Sequence, residues 1–562
     1  MQPYMIVPQQ GVEQSDEWVR LGVEAQVQGK LPDAQRYYQQ ALRIDPQHAI
    51  ATQNLAIVYA QSNLLAEALL TIERAAIFDG KHAVILMNWA LMSLEADRVG
   101  EALEIARRAV EMKPNAETRF ALAVILATAG LPEQAVPLYN EILAENPNHP
   151  AAGPNSCFVQ TLTNAGPAEL LAQRRKYHEI IRHKGAVAPH WNEMTVDRPI
   201  RVGYVSGDFK RHSAAMIWKA VAMHHTPAVE PYFYSTLAVD AAADPMAKAF
   251  QDLAGPRWRD IISATDEQAD AMIRADKIDV LVDLSAHTGG GRLPLFARKP
   301  APVQVTGWGF AHGTGMPEVD WFFADPVALP AEERIHYAER IWDLPCIVTY
   351  DPPAEYQLKE SSPLPYYTRG YITFASTARY EKLSDDCLKT FAEVMHAVPR
   401  SKILFKDYGF RRPYAIRRVM QAMPNVEPDR FLFAIATSHP EHMQHYQMAD
   451  LILDPFPHGG GIVGLEQLYM GVPIVTLYGT QPAGRSISSV LTQMGRTAWI
   501  AKTRDEYVSI AAAVTADLPA LAAVRKTLRR ELLDSPVCKG YVEKVEEAYK
   551  AMWREHVTGR KA

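Results

Sequence analysis

Two hydrophobic periods divide this chain. From about residue 15 to residue 150, small and apolar residues recur at helical spacing, and the pattern returns about every 34 residues. Beyond Pro199 the rhythm changes to short apolar runs that end in polar or glycine-containing turns. "IRVGYVSGDF" (200–209), "PYFYSTLAV" (231–239), "IDVLVDLSAH" (278–287) and "PVQVTGWGF" (302–310) predict buried strands, with helical segments between the first three. After a proline-rich, polar stretch at 350–370 the alternation restarts. Strands are predicted at 371–376, 402–407, 431–435, 451–454 and 474–479, with helices near 384–397, 412–422 and 462–470. Alternating strands and helices favour a parallel sheet, so the second half predicts two successive doubly wound lobes with a cleft between them.

The repeat positions are those of tetratricopeptide (TPR) helix pairs. Trp18, Leu21, Gly22, Ala25, Ala34, Tyr38, Ala41 and Pro46 form one copy. Leu55, Ala56, Tyr59, Ala68 and Ala75 form the next, followed by Trp89, Ala90, Ala102, Ala109 and Pro114. A fourth copy, offset by one residue, uses Leu122, Ala123, Gly130, Ala135, Tyr139 and Pro147. Small residues let paired helices approach, aromatics are expected to fill the next repeat's groove, and proline ends the second helix. Such arrays stack into a superhelix whose concave face takes an extended peptide or protein partner. The predicted organisation is therefore a leader at 1–14, an all-α TPR superhelix at 15–150 and a helical linker at 151–198. An N-terminal α/β lobe follows at 199–349, a linker at 350–370, a C-terminal lobe at 371–540 and a final helix at 541–562.

In open parallel sheets, ligands collect at the carboxyl ends of strands, and polar candidates cluster there. "LDPFPHGGGIVGLE" runs from a strand through Gly459, Gly460 and Gly461 into a helix. Backbone N–H groups in such a turn come close to a ligand because no Cβ intervenes, and the helix start favours an anion. Asp208 and His212 follow the first strand of the first lobe, four residues apart. Arg379 and Lys382 follow the first strand of the second lobe, a pairing suited to a diphosphate. Glu466, five residues after Gly461, is placed to accept ribose hydroxyls, and Arg485 follows another strand as a second phosphate ligand. His287 and His312 are further candidates. No HExxH, no cysteine cluster and no lysine-containing P-loop is present. Fixed cations and N–H dipoles are what a metal-free diphosphate site requires.

Composition narrows the picture. A hydrophobic content of 48%, a charged content of 22% and a net charge of −6 give no general pull toward nucleic acid. No apolar run approaches the roughly 20 residues of a membrane span. Cys157, Cys346, Cys387 and Cys538 are too scattered for a disulfide framework, so a cytoplasmic setting is expected. Homo-oligomerisation is left open.

Together, "RVGYVSGDFKRHS", "RKPAPVQVTGWGFAHGTGMPEVDWFFADP", "FASTARYEKL", "LDPFPHGGGIVGLEQLYMGVPIVT" and "SPVCKGYVEKVEEAYKAMW" resemble the O-GlcNAc transferase/SPINDLY family of protein O-glycosyltransferases, the SPINDLY branch most closely. The resemblance implies a GT-B region of two Rossmann-like lobes. It implies inverting, metal-independent transfer from a nucleotide sugar, a co-substrate rather than a cofactor, to Ser or Thr of proteins selected by the repeats. By matching position it makes His212 the active-site histidine and Asp208 its acidic neighbour, and gives Lys382 the diphosphate leaving group. It also places Arg379 near the nucleotide, Glu466 on the ribose, Lys299 in the basic position of the PAP segment, and Thr314 and Gly315 in a loop near the sugar. One departure stands out: Gly461-Ile462-Val463 replaces a hydroxyl-rich turn, so only backbone N–H groups remain to meet phosphate. "GFAHGTG" also replaces the more usual Gly-Tyr-Pro. UDP-GlcNAc is the leading donor; GDP-fucose or a CMP-nonulosonate, as in flagellin glycosylation, is the alternative. A non-catalytic TPR scaffold with a degenerate transferase region is the rival from another class. A nucleotide-sugar epimerase would leave the repeats unexplained.

Overall fold

A computed structural model describes residues 14–352, 362–435 and 437–559. The expected leader at 1–14 and the middle of the 350–370 linker lie almost wholly outside the described residues. The chain forms two compact units. One comprises the residues up to Gly153 with Arg411–Arg418, the other Pro154–Phe410 with Val419 onward.

In the first unit, eight helices pair as Gln14–Val27 with Leu31–Ile44, Ala49–Gln61 with Leu65–Phe78, Ala83–Glu95 with Val99–Met112, and Ala116–Thr128 with Pro132–Glu145. Each pair turns through one residue with positive φ: Gly29, Asn63, Asp97 and Gly130. Glycine, asparagine and aspartate are the residues that tolerate this left-handed region best, so the turn repeats with the sequence. The need for small residues is visible at Gly22, where an added Cβ would fall 2.4 Å from the Tyr38 ring. Tyr38 therefore fills the groove of its own repeat rather than the next one. Its hydroxyl donates to Gln26 Oε1 at 2.8 Å.

The second unit holds two parallel sheets. The first contains β1 (Ile200–Ser206), β2 (Val229–Ser235), β3 (Trp258–Asp260), β4 (Val280–Asp283), β5 (Val303–Thr306), β6 (Trp321–Ala324) and β7 (Arg340–Asp343), in the order β3-β2-β1-β4-β5-β6-β7. The second contains β8 (Thr373–Ser376), β9 (Lys402–Lys406), β10 (Phe431–Ala434), β11 (Leu451–Leu453), β12 (Ile474–Leu477) and β13 (Ile500–Ala501), in the order β10-β9-β8-β11-β12-β13. The central strands are covered on both faces, which is why they read as unbroken apolar runs. β3 and β7 are short edge strands with partly exposed residues, and β13 has two residues, so their patterns gave no prediction.

Both sheets reverse their winding once, between β1 and β4 and between β8 and β11. In this topology the crevice beyond the strand ends at the reversal is the ligand position. The final helix, Tyr541–Thr558, follows the second lobe in sequence but packs on the first. Trp308 Nε1 donates to the Tyr541 hydroxyl at 2.9 Å, Tyr541 donates to Cys346 O at 2.7 Å, and Trp553 Nε1 donates to Thr195 O at 2.8 Å. Among the described residues no single helix is long and apolar enough to cross a membrane.

Candidate active site

The glycine turn leaves β11 at the reversal of the second sheet and folds over a buried carboxylate. Asp454 Oδ1 accepts from Gly460 N at 2.8 Å, and its Oδ2 accepts from the Thr476 hydroxyl on β12 at 2.7 Å. A Cβ on Gly459 or Gly460 would lie 3.0 or 2.9 Å from these oxygens. The glycines are thus required by what lies beneath the turn as well as by any ligand above it. Gly461 precedes the helix Ile462–Tyr469 and supplies no side-chain cap, so the first N–H groups are left to a ligand. Ile462 and Val463 contribute backbone only. Gly484 closes in from the next helix, where a Cβ would meet Pro457 O at 2.3 Å. Gly484→Ala is therefore expected to cost about 1–3 kcal/mol and, for the nucleotide that the resemblance implies, to weaken binding by shifting Pro457. Thermal unfolding and titration calorimetry on one preparation check both effects.

Lys382 ends a short turn after β8, on the other side of the same reversal. Its Nζ donates to Gly459 O at 2.7 Å. Although the residue keeps some surface, its ammonium lies deep enough for burial, aided by Arg379, to push its pKa down to about 7. Burial likewise pushes Asp454 up to about 6, against the hydrogen bonds from Thr476 and Gly460. Arg379 is exposed, with its guanidinium 5.5 Å from the Phe158 ring. His458 Nδ1 lies 3.2 Å from the Thr161 hydroxyl. Burial, followed by the charges of Lys382, His312 and Arg379, holds its pKa well below the usual imidazole range, so the ring is neutral.

Glu466, on the helix that starts at the turn, is buried. His439 Nε2 lies 2.7 Å from its Oε1, and the Tyr446 hydroxyl donates to its Oε2 at 2.8 Å. Neither partner was among the predicted site residues. The signal was present in "SHPEHMQHY", where helical spacing puts His439, His442 and Tyr446 along one side.

Across the crevice, Asp208 and His212 follow β1. His212, not Asp208, caps the helix Ser213–Ala222, its Nδ1 accepting from Ala214 N at 3.3 Å. The same Nδ1 lies 3.3 Å from Asp208 Oδ2, with the Asp208 side chain 10% exposed and that of His212 46%. The helix capped by His212 packs against the helix that starts at the glycine turn, and a Cβ on Gly461 would touch Ile217 at 3.8 Å. Two helix starts from opposite lobes therefore meet at one crevice. Asp208 and His212 precede one of these helices, Gly459, Gly460 and Gly461 precede the other, Glu466 lies along the second, and Lys382, three residues after Arg379, reaches Gly459 O.

Other predicted residues are engaged elsewhere. Lys299 is a correction: its ammonium is held by Asp320 at 2.5 Å and Glu318 O at 2.8 Å. Asp320 immediately precedes β6, so Lys299 sits at the amino ends of the strands, the wrong edge for the crevice. Arg485 is a second correction as a phosphate ligand. It forms a bidentate pair with Glu333 at 2.8 and 2.6 Å and donates to Gly479 O at 2.6 Å, so its fork ties the lobes together. Thr314 donates its hydroxyl and N–H to Glu339, which also accepts from Gly315 N, locking that loop from within. His287 Nε2 lies 3.1 Å from Thr314 O and His312 Nε2 3.2 Å from Gln481 Oε1. Burial, then Arg174, pushes both imidazoles down to about 3.

Two parallel sheets, each with polar groups at its winding reversal and facing one crevice, define the two-lobed GT-B-like class of glycosyltransferase fold behind a TPR array. Comparison with known proteins agrees. The model for glycosyl transferase family 41 matches residues 172–348 and 365–545, and a tetratricopeptide repeat model matches 19–83 and 89–150. The chain belongs to glycosyl transferase family 41. A solved mutant of Thermobaculum terrenum O-GlcNAc transferase superposes with a TM-score of 0.79 at 26% identity, covering 98% of this chain and 100% of that one. Two relatives, from Oryza sativa subsp. japonica and Arabidopsis thaliana, are each named probable UDP-N-acetylglucosamine–peptide N-acetylglucosaminyltransferase SPINDLY. They are 32% and 34% identical over 75% and 65% of this chain. The chain spans 46% and 40% of their lengths, about half or less of the relatives it matches.

Proposed function

We propose that this chain transfers a sugar from a nucleoside diphosphate to Ser or Thr hydroxyls of a protein acceptor, with the TPR concave face selecting the acceptor. UDP-GlcNAc is the leading donor, supported by the names of the relatives. The observation that carries the reading is the placement of the glycine turn and Lys382 at the winding reversal of one sheet and of the Asp208–His212 pair at that of the other.

In this reading the acceptor oxygen attacks the anomeric carbon from the side opposite the diphosphate, inverting that centre. The carbon–oxygen bond to the diphosphate breaks as the new glycosidic bond forms. Negative charge then grows on the departing phosphate, where Lys382 and the N–H groups of the turn meet it without a bound metal. For His212 to act as the base, its proton sits on Nδ1 toward Asp208, in place of the bond that Nδ1 accepts from Ala214 N in this structure, and Nε2 is left for the acceptor hydroxyl proton. Glu466 takes the ribose hydroxyls. Ile462 and Val463 withhold the side-chain hydroxyls that would add two neutral hydrogen bonds, about 1 kcal/mol each.

Titration of the full chain with UDP, GDP and CMP tests the reading, coupled to transfer of labelled sugar from UDP-GlcNAc, GDP-fucose and a CMP-nonulosonate into protein. UDP binding with GlcNAc transfer is the expected result. GDP or CMP binding with matching transfer replaces the donor and keeps the reaction. Failure of all three nucleotides overturns the enzyme reading in favour of a TPR scaffold.

A further inference from the structure

Behind Glu466 lies a directed chain of hydrogen bonds with a fully buried lysine at its far end. Lys406 closes β9 and is 0% exposed. Among the described residues no carboxylate pairs with its ammonium. Its Nζ lies 2.5 Å from His442 Nδ1. His442 Nε2 lies 2.7 Å from the Tyr446 hydroxyl, which lies 2.8 Å from Glu466 Oε2.

The direction of each bond follows from donor chemistry. An ammonium carries donors and no acceptor, so His442 Nδ1 accepts and the ring's single proton sits on Nε2. Burial, then the Lys406 charge, pushes the His442 pKa down to about 3, which keeps the ring in this neutral form. Nε2–H then donates to the Tyr446 oxygen, which leaves the tyrosine proton to point at Glu466. Burial, followed by the carboxylate's own charge, holds the Tyr446 pKa well above the usual range, so the hydroxyl remains a donor. His439 occupies the other carboxylate oxygen at 2.7 Å. An ionised carboxylate has about four lone-pair positions, so each oxygen keeps a free acceptor position on a carboxylate whose plane is fixed.

We propose that Lys406, acting through His442 and Tyr446, is a positioning residue that orients Glu466 as the acceptor for the donor's ribose hydroxyls. The assignment rests on the reading of the crevice as a nucleotide site. Without the Lys406 ammonium, His442 is free to carry its proton on Nδ1. Its Nε2 then accepts from Tyr446 and turns the tyrosine proton away from Glu466. The carboxylate loses one of its two anchors, and selectivity for ribose falls while diphosphate binding is untouched.

The test compares UDP and GDP with their 2′-deoxy forms, and with UMP and GMP, by calorimetry on the full chain and on Lys406→Met and Tyr446→Phe. Wild-type protein is expected to prefer the ribonucleotide by about tenfold, as for a hydrogen bond to a charged group. Both variants are expected to cut this preference to about threefold or less, while the preference for diphosphate over monophosphate stays at its wild-type value. Tyr446→Phe keeps the ring in the core and decides the matter if Lys406→Met does not fold. Folded variants that retain the full ribose preference overturn the relay and leave the nucleotide site standing. Wild-type protein with no preference for ribose overturns the placement of Glu466 on which the relay rests.

Discussion

Lys382→Met is expected to lower sugar transfer by about 10²–10³-fold while leaving the fold intact. Removal of one preorganised charge-stabilising donor typically has an effect of this size. The methionine stem keeps the packing, so thermal unfolding moves little. Among the described residues the hydrogen bond lost is the one from Nζ to Gly459 O. Because charge on the diphosphate grows as the anomeric bond breaks, the loss should fall on kcat, with KM raised as well by the lost ground-state attraction to the diphosphate. Full turnover by a folded Lys382→Met protein would remove Lys382 from the mechanism.

The same lysine is expected to make nucleotide binding depend on pH. In the free protein its pKa is pushed down to about 7, so about half the molecules carry a neutral amine at that pH. A bound diphosphate favours the charged form and raises the pKa. Binding therefore takes up protons, and affinity weakens as pH rises above about 7, by up to about tenfold per unit until the bound-state pKa is reached. Calorimetry at pH 7 and pH 8 in buffers of unlike ionisation enthalpy measures the uptake directly. Lys382→Arg, which stays charged at both values, is expected to bind with little pH dependence. Proton release on binding, or an unchanged profile in Lys382→Arg, would contradict this account.

Much of the architecture is legible because it rests on local rules. The four repeats announce themselves through residues whose size is dictated by close contact, as at Gly22 against Tyr38. Most buried strands show as short apolar runs, although the wholly buried β6 (Trp321–Ala324) is not among those predicted, and the glycine turn shows as a strand-to-helix junction without Cβ atoms. Illegible features depend on partners distant in sequence. Nothing local to Arg485 reveals that Glu333, 152 residues earlier, takes its fork. Nothing in the PAP segment reveals that Lys299 faces the amino ends of the strands. Glu466 is recognisable from its distance to the turn, but His439 and Tyr446 reach it only through the docking of another helix, 27 and 20 residues away. Asp454 escaped notice because its carboxylate serves the turn from below.

The helix Tyr541–Thr558 carries one further implication. The polypeptide passes between the lobes twice, once through 350–370 and again where this helix returns to seat Tyr541 and Trp553 on the first lobe. A body joined at two separate points does not swing freely like a door on a single pin. Opening of one lobe against the other is thereby restrained at both crossings, and the Arg485–Glu333 pair adds a further tie between them.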